Sequence, residues 1–403
     1  MKTEKTLVKQ HVGLPLDRSF GEAGQIRPNF LSGGARAAQL SADGSLYFAT
    51  WQDENSLFRA TPEGALDPSF GNGTGRVKWH FVHGEESRPS CLLVQADHKI
   101  LVIGDTRRTD GTARAALTRF HNSGSPDLVF GTVLVPVFEG NYVVMELVSG
   151  CLQADGKILI AFGYGTAEGF GSLLIRLKAE NGELDDSFGN GGYVDVKSNG
   201  PAIELRSVLV RDDGKIIVGG TADDQLVIGC YTPNGEIDSS FAQEGFAYYK
   251  SPEGALRMRQ LVAQPDGKLV CAGRVNLGAA NTKGMVMRFD SNGDPDSSFN
   301  EGVPVFTDAG RNTAWNSLAV QADGKIAMTG NNAELGTEPL VVIGRLLPNG
   351  SPDPGFGENG WGSVGVGGLS WDVRIQADKR IIVAGENLND SGNRTPSIYG
   401  LSV

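Results

Sequence analysis

The side chains best able to do chemistry in this chain recur at a fixed distance from seven aspartates. Seven residues ahead of Asp43, Asp97, Asp155, Asp213, Asp266, Asp323 and Asp378 stand Arg36, Ser90, Val148, Arg206, Arg259, Asn316 and Trp371. Two residues earlier stand Gly34, Arg88, Glu146, Glu204, Arg257, Ala314 and Leu369. In an extended segment, positions two apart share a face, so both sets project to one side. Planar guanidinium forks suit carboxylate, phosphate or sulfate, and an indole such as that of Trp371 stacks on a ring or a sugar. The expectation is an arginine cluster with Trp371 beside it, partly countered by Glu146 and Glu204. The opposing reading pairs these arginines with loop carboxylates such as Glu85, Glu86, Glu139, Asp308 and Glu386.

Acid–base and metal chemistry have thinner support. The five histidines are His11, His80, His83, His98 and His121. Only His80 and His83 sit together, with Glu85 and Glu86 close behind, and they are the weak metal candidates. Residues three apart on a strand face opposite ways, so a shared metal there requires a turn. No G-x-S-x-G, H-E-x-x-H or P-loop pattern occurs, and no cofactor is expected. Cys91, Cys151, Cys230 and Cys271 have no C-x-x-C spacing and read as buried reduced thiols.

The elements that must position these residues come from an internal repeat. An Asp-Gly-Lys-like turn before an apolar run appears seven times, as in QADGKILI at Asp155, RDDGKIIV at Asp213 and QADGKIAM at Asp323. A D-x-x-F element, most often ending S-F-G, also appears seven times, at Phe20, Phe70, Phe130, Phe188, Phe241, Phe299 and Phe356. Both recur every 50 to 60 residues. Within a unit, 316–321 alternates in polarity, Asp323-Gly324 turns, and an apolar strand follows. Asp-Gly predicts a two-residue type I′ turn. A third run such as LLIRLK (173–178) ends in an N-G turn, and the D-x-x-F segment leads to a fourth strand. Four strands per unit without helical periodicity form a meander.

Seven such units predict an all-β, seven-bladed β-propeller over residues 1–403, with four-stranded antiparallel blades and only short edges exposed. A solenoid would need polar caps at its ends. Instead the last unit stops after its third strand, while the N-terminal VGLPLDRSFGEAGQIRPNF matches the missing piece. Residues 8–30 are therefore expected to supply the outer strand of the last blade.

Through Q-(A/P)-D-G-K-I, the glycine after strand two and N-G-x-x-D-x-S-F-G, the chain resembles the delta-60 repeat family of bacterial β-propellers, from about Leu16 to Val403. The resemblance implies the propeller fold and carries no shared catalytic motif or ligand. Departures fall at Ser45, His98, Lys379-Arg380 and in SPDLVFGTVLV of the unit around Phe130.

Residues repeated in most units read as blade builders. The phenylalanines are expected between sheets, and Arg59, Arg119, Arg176, Arg288 and Arg345 are expected to pair with the aspartate of their own unit. Calcium fits poorly, since each unit offers one or two carboxylates against a shell of 6–8 oxygens. Function belongs where units differ. The regular turns fall on one face of the ring and the long variable loops on the other, so the channel mouth on the loop face is the candidate.

Composition agrees. With 56 glycines in 403 residues, a net charge of −11 and no basic block, the chain is a poor partner for nucleic acid or an anionic membrane. No apolar leader or 18-residue apolar run is visible, and a cytoplasmic monomer is expected. The reading is a non-enzymatic recognition or scaffold propeller, with an anionic small molecule, glycan or protein as its partner. The alternative is a lyase or hydrolase acting on an anionic or sugar substrate at the same mouth, through Tyr142, Tyr248, Tyr249 or an arginine–carboxylate pair. Removing residues 1–30 should open the ring; a truncated chain that stays monomeric and melts at the full-length temperature would refute the closure.

Overall fold

Short apolar runs separated by glycine turns leave each segment able to pair only with its sequence neighbours, and the chain folds accordingly into consecutive four-stranded sheets. The computed structural model describes residues 13–28, 32–52, 55–135, 143–166, 169–197, 200–278, 281–309, 312–333, 338–364, 367–377, 380–389 and 391–402. Seven antiparallel sheets stand around an axis. Their innermost strands are Gly34–Leu40, Glu86–Val94, Val143–Leu152, Glu204–Val210, Ala255–Ala263, Ala314–Val320 and Ser370–Ile375, taken as blades 1 to 7. Blades 2 and 3 are also joined by one bridge, Val143 with Ala113.

Blade 7 is completed from the other end of the chain. Gln25 and Ile26 pair antiparallel with Tyr399 and Ile398, and Asp17 N–H donates to Gly400 O at 2.8 Å. Of the predicted closing segment 8–30, residues 8–12 and 29–30 lie outside the described residues.

Burial is organised between blades. Seven hydrophobic clusters each join two adjacent sheets, and the one between blades 7 and 1 holds Phe20, Ile26, Phe48 and Ile398. The repeated phenylalanines lie inside these seams, at most 5% exposed. Glycine is required opposite them. A Cβ on Gly182 would stand 2.8 Å from the Phe130 ring, on Gly235 2.8 Å from Phe188, and on Gly64 3.0 Å from Phe20. The N-G glycine of one blade thus receives the phenylalanine of the blade before it, across the closing seam as well.

The strand-three arginines fasten the same seams on the turn face. Arg119, Arg176, Arg288 and Arg345 donate Nε to Asp127, Asp185, Asp296 and Asp353 at 2.7–2.9 Å. Arg59 lies 3.2 Å from Asp67. The guanidiniums of the first four also lie over the phenylalanines, for example Arg119 at 4.2 Å from Phe130 and Arg176 at 4.6 Å from Phe188, whereas Arg59 lies over Tyr47 at 5.7 Å. In three of them Nη1 crosses to the next blade. Arg119 Nη1 donates to Ala179 O, Arg176 Nη1 to Pro233 O at 2.5 Å and Arg288 Nη1 to Pro348 O at 2.7 Å.

Blades 4 and 7 lack an arginine at the clasp position of strand three, having Cys230 and Gly400 there, and each compensates differently. In blade 4, Lys215 reaches Asp238 at 2.6 Å, and Arg211 crosses to Ser291 O at 2.7 Å. In blade 7 the cation moves to strand two: Arg380 binds Asp17 at 2.6 Å, lies 5.5 Å over Phe20 and donates to Pro62 O of blade 1 at 3.2 Å. The irregular Lys379-Arg380 pair thus supplies the closing clasp, although Lys379 itself lies outside the described residues.

The DG turn differs from the expected type I′ form. Gly156 has φ +85° while Asp155 keeps a negative φ, and Gln153 N–H reaches Lys157 O at 2.9 Å across three loop residues. This is a type I turn followed by a left-handed glycine. The Asp155 carboxylate, accepting the Lys157 N–H at 3.1 Å, holds the aspartate out of the left-handed region. At the departing turn, His98 takes the glycine's place with φ +63°.

Two outcomes follow. Phe20→Ala should cost about 3–5 kcal/mol, because it empties the closing seam; a denaturant midpoint within experimental error of the wild type would show that the N-terminal segment does not carry the ring. Acid should also weaken the clasps. Ser19 and Arg380 hold Asp17 down to about 2, Lys215 and Ser240 hold Asp238 down to about 2, and at Asp185 the bonds from Ser187 and Lys157 outweigh burial and give about 2. A carboxylate depressed on folding stabilises fully above its unfolded value near 3.9 and loses that contribution as pH falls through the folded value. Buried Asp105, Asp372 and Glu386 are raised and act oppositely, but ten aspartates are lowered. The melting temperature should therefore drop between pH 4 and 2, and one that holds or rises over that range contradicts the sum.

Candidate functional site

The innermost strands hold the predicted residues through a feature that alternation does not reveal. All seven strands break register at one point, skipping Arg36, Ser90, residues 146–148, Arg206, Arg259, Asn316 and Trp371. These are β-bulges, which unpair a residue from the ladder and re-aim its side chain. The first predicted set is thus the bulge set.

The next residue along each strand shows what the bulge secures. Ser149 Oγ accepts the N–H of Val208 in the following blade at 3.1 Å, and Ser207 Oγ donates to Leu261 O at 3.1 Å. Gln260 Oε1 accepts Leu318 N–H at 2.7 Å, Ser317 Oγ accepts Val373 N–H at 3.2 Å, and Asp372 Oδ2 accepts Ala38 N–H at 3.0 Å. The polar side chains after the bulges of blades 3 to 7 therefore each link the channel wall to the following blade, while blades 1 and 2 carry Ala37 and Cys91 at this position. Burial raises the Asp372 carboxyl, and Arg374 at 2.7 Å pulls against that shift.

At the loop-face end the predicted residues separate into groups. Where blades 7, 1 and 2 meet, the Arg36 guanidinium lies 4.2 Å from the Trp371 ring and 4.9 Å from the Trp51 ring. Arg88 lies 5.3 Å from the same Trp51 and pairs with Glu86 at 2.8 Å. All four cluster side chains are half-buried. Gly34, the register partner of Trp51, leaves room for the stack: a Cβ there would stand 2.8 Å from Glu386 Oε2 and 3.4 Å from Trp371 Nε1. Burial, Arg88 and Arg107 push the Arg36 pKa down to about 10, against the pull of Asp105 and Glu386. Arg36 remains a cation at neutral pH.

Other predicted residues have different partners. Arg206 pairs with Glu204 at 2.6 Å, Arg257 with Asp224 at 2.6 Å, and Asn316 donates Nδ2 to Ser370 O at 2.8 Å. Arg259 is half-buried at its bulge. Glu146 lies in the strand Val143–Leu152, and its side chain, like Glu139 and Tyr142, falls outside the described residues. Glu386, read from sequence as a loop carboxylate, is a buried strand residue bonded to Arg394. The exposed His80 and His83 rings are 5.4 Å apart, and Glu85 is engaged by Thr106 at 2.9 Å and Arg108 at 3.3 Å. Among the described residues no group of three or more His, Cys, Asp or Glu side chains could hold a metal.

Sequence reasoning missed Trp51 and Asp105. Both stand on second strands, directly across from Gly34 and Arg88. Their signal is cross-strand register, which needs the bulge to be counted.

Closed radial blades of this pattern define the β-propeller class. The segments 95–130, 153–188, 211–241, 264–299 and 321–356, each ending on the repeated phenylalanine, match the model of a family described as a domain of unknown function (DUF5122) β-propeller. Five of the seven repeat units thus match this β-propeller repeat family, as the likeness to delta-60 repeats anticipated. No curated protein matches the chain. Among solved structures it is similar to a streptogramin B lyase, with 13% identity, a TM-score of 0.50 and coverage of 93% of this chain and 96% of that one. It is also similar to domains 1–2 of Drosophila Semaphorin 1b, with 9% identity, a TM-score of 0.46 and coverage of 96% and 88%. At these identities the first likeness describes the fold alone. Among the described residues no helix is long and apolar enough to cross a membrane.

Proposed function

We propose that the chain is a recognition propeller that takes an anionic ligand on its loop face, where blades 7, 1 and 2 meet. The observation that carries this reading is Arg36, its guanidinium over both the Trp51 and Trp371 rings and with no hydrogen bond or ion pair among the described residues. A guanidinium held over aromatic rings keeps its N–H edge as a planar fork for a carboxylate or sulfate. The indoles fix the fork in place and lower the entropy lost on binding. By contrast Arg88, Arg206 and Arg257 already have carboxylate partners. A uronic acid or a sulfated sugar joins the two chemistries, an anionic group for Arg36 and a ring for stacking. Salt should weaken such binding.

Titration with glucuronate and with sulfate, followed by tryptophan fluorescence, tests the reading because Trp51 and Trp371 flank the fork. Quenching by these anions and not by glucose is expected. Arg36→Gln should weaken binding about tenfold or more, from loss of charge-assisted bonds worth about 1.5–3 kcal/mol. An unchanged spectrum with every anion, or equal affinity in the variant, would overturn it.

A further inference from the structure

The opposite face carries a second departure from the repeat. The two residues between the aspartate and phenylalanine of D-x-x-F are Arg18-Ser19, Pro68-Ser69, Asp186-Ser187, Ser239-Ser240, Ser297-Ser298 and Pro354-Gly355 in six units. In blade 2 they are Leu128 and Val129, which are 88% and 82% exposed. In blades 3 and 5 the second of these residues has a task inside the blade. Ser187 Oγ accepts from Arg176 Nη2 at 2.9 Å, and Ser298 Oγ accepts from Arg288 Nη2 at 3.0 Å. Val129 cannot accept, and Arg119 Nη2 turns to Glu180 O of blade 3 at 2.8 Å. The exchange redirects one clasp bond to the next blade and places two large apolar side chains in water.

They border a cleft of about 910 Å³ between blades 2 and 3 on the turn face. Its lining includes the carboxylates Asp97, Asp127, Asp155 and Glu180 against two cations, Lys99 and Arg119, while Lys157 reaches Asp155 at 3.2 Å from beside it. Both cations are engaged: Arg119 Nε with Asp127 at 2.9 Å, and Lys99 with Asp97 at 3.2 Å and Asp127 at 3.4 Å. Asp97 and Asp155 are each 54% exposed at the rim. An apolar lip beside an acid-rich cleft, on a chain of net charge −11, complements an apolar group carried with positive charge.

We propose that the Leu128–Val129 lip and the cleft behind it form a docking site for a partner-protein segment that presents an apolar side chain flanked by lysine or arginine. The apolar side chain covers the lip, and the flanking cations meet Asp97, Asp155 and Glu180. This site lies across the ring from Arg36 and does not depend on the anion reading.

The double variant Leu128→Asp, Val129→Ser gives blade 2 the residues that blade 3 carries at 186 and 187, so its fold should persist, checked by an unchanged melting temperature. The probes are fluorescein-labelled nonapeptides with a central leucine or phenylalanine, flanked by lysine and arginine, by glutamate or by serine. Fluorescence anisotropy should show the basic set binding the wild-type chain at least tenfold tighter than the acidic or serine sets. The double variant should lose at least tenfold, and 0.5 M salt should weaken the wild-type complex. Equal binding of all three sets, or equal binding by the double variant, would overturn the proposal. So would concentration-dependent self-association in sedimentation that the double variant abolishes, since the lip would then belong to a second copy of this chain. Arg36→Gln should leave peptide binding unchanged, which separates the two sites.

Discussion

The structure depends on the attachment of each blade to the next. A four-stranded sheet of short strands cannot bury both faces alone, and a ring of seven must fasten seven seams. One device acts at each radius. In most blades polar side chains just after the bulges bond the backbone of the following blade at the channel, apolar clusters fill the middle, and a cation with phenylalanine and glycine locks the turn face. The arginine is effective because it acts twice. Its Nε satisfies the buried aspartate of its own blade, and in Arg119, Arg176 and Arg288 its Nη1 satisfies a carbonyl of the next.

This constraint explains which parts of the repeat vary. The clasp needs a cation, a carboxylate, a ring and a glycine at fixed points in space, without requiring each on a fixed strand. Blade 7 meets the need with Arg380 from strand two, and blade 4 divides the task between Lys215 and Arg211. The turn face is therefore uniform in chemistry even where its sequence departs, and Leu128-Val129 stands out against that background. The loop face carries no such obligation. Its residues are free to assemble local groups such as the Arg36, Trp51 and Trp371 stack.

Much of the fold was legible because the repeat is written in turn residues and in buried side chains of fixed type. The D-x-x-F phenylalanines, the arginine–aspartate pairs and the N-terminal completion of blade 7 follow from period and residue chemistry. The DG turn was misread because the dipeptide serves two hairpin geometries, and the aspartate's own hydrogen bond selects the three-residue one. The candidate site was legible in one coordinate only. Counting back from the aspartates located Arg36 and Trp371, but Trp51 and Asp105 join them across strands, and a bulge alters that pairing.

The sequence by itself determined the number of blades, their strand order and the segment that closes the ring, since these rest on local periodicity and on complementary ends. Only the tertiary structure decided which charges face one another. Arg206 and Arg257 sit at positions like that of Arg36 or Arg88 in the repeat, yet carboxylates of blade 4 hold them, while Arg36 meets two indoles. The physical reason is distance. An ion pair or a ring stack depends on a few ångströms between side chains from different blades, and a repeat read along the chain fixes their order but not that separation.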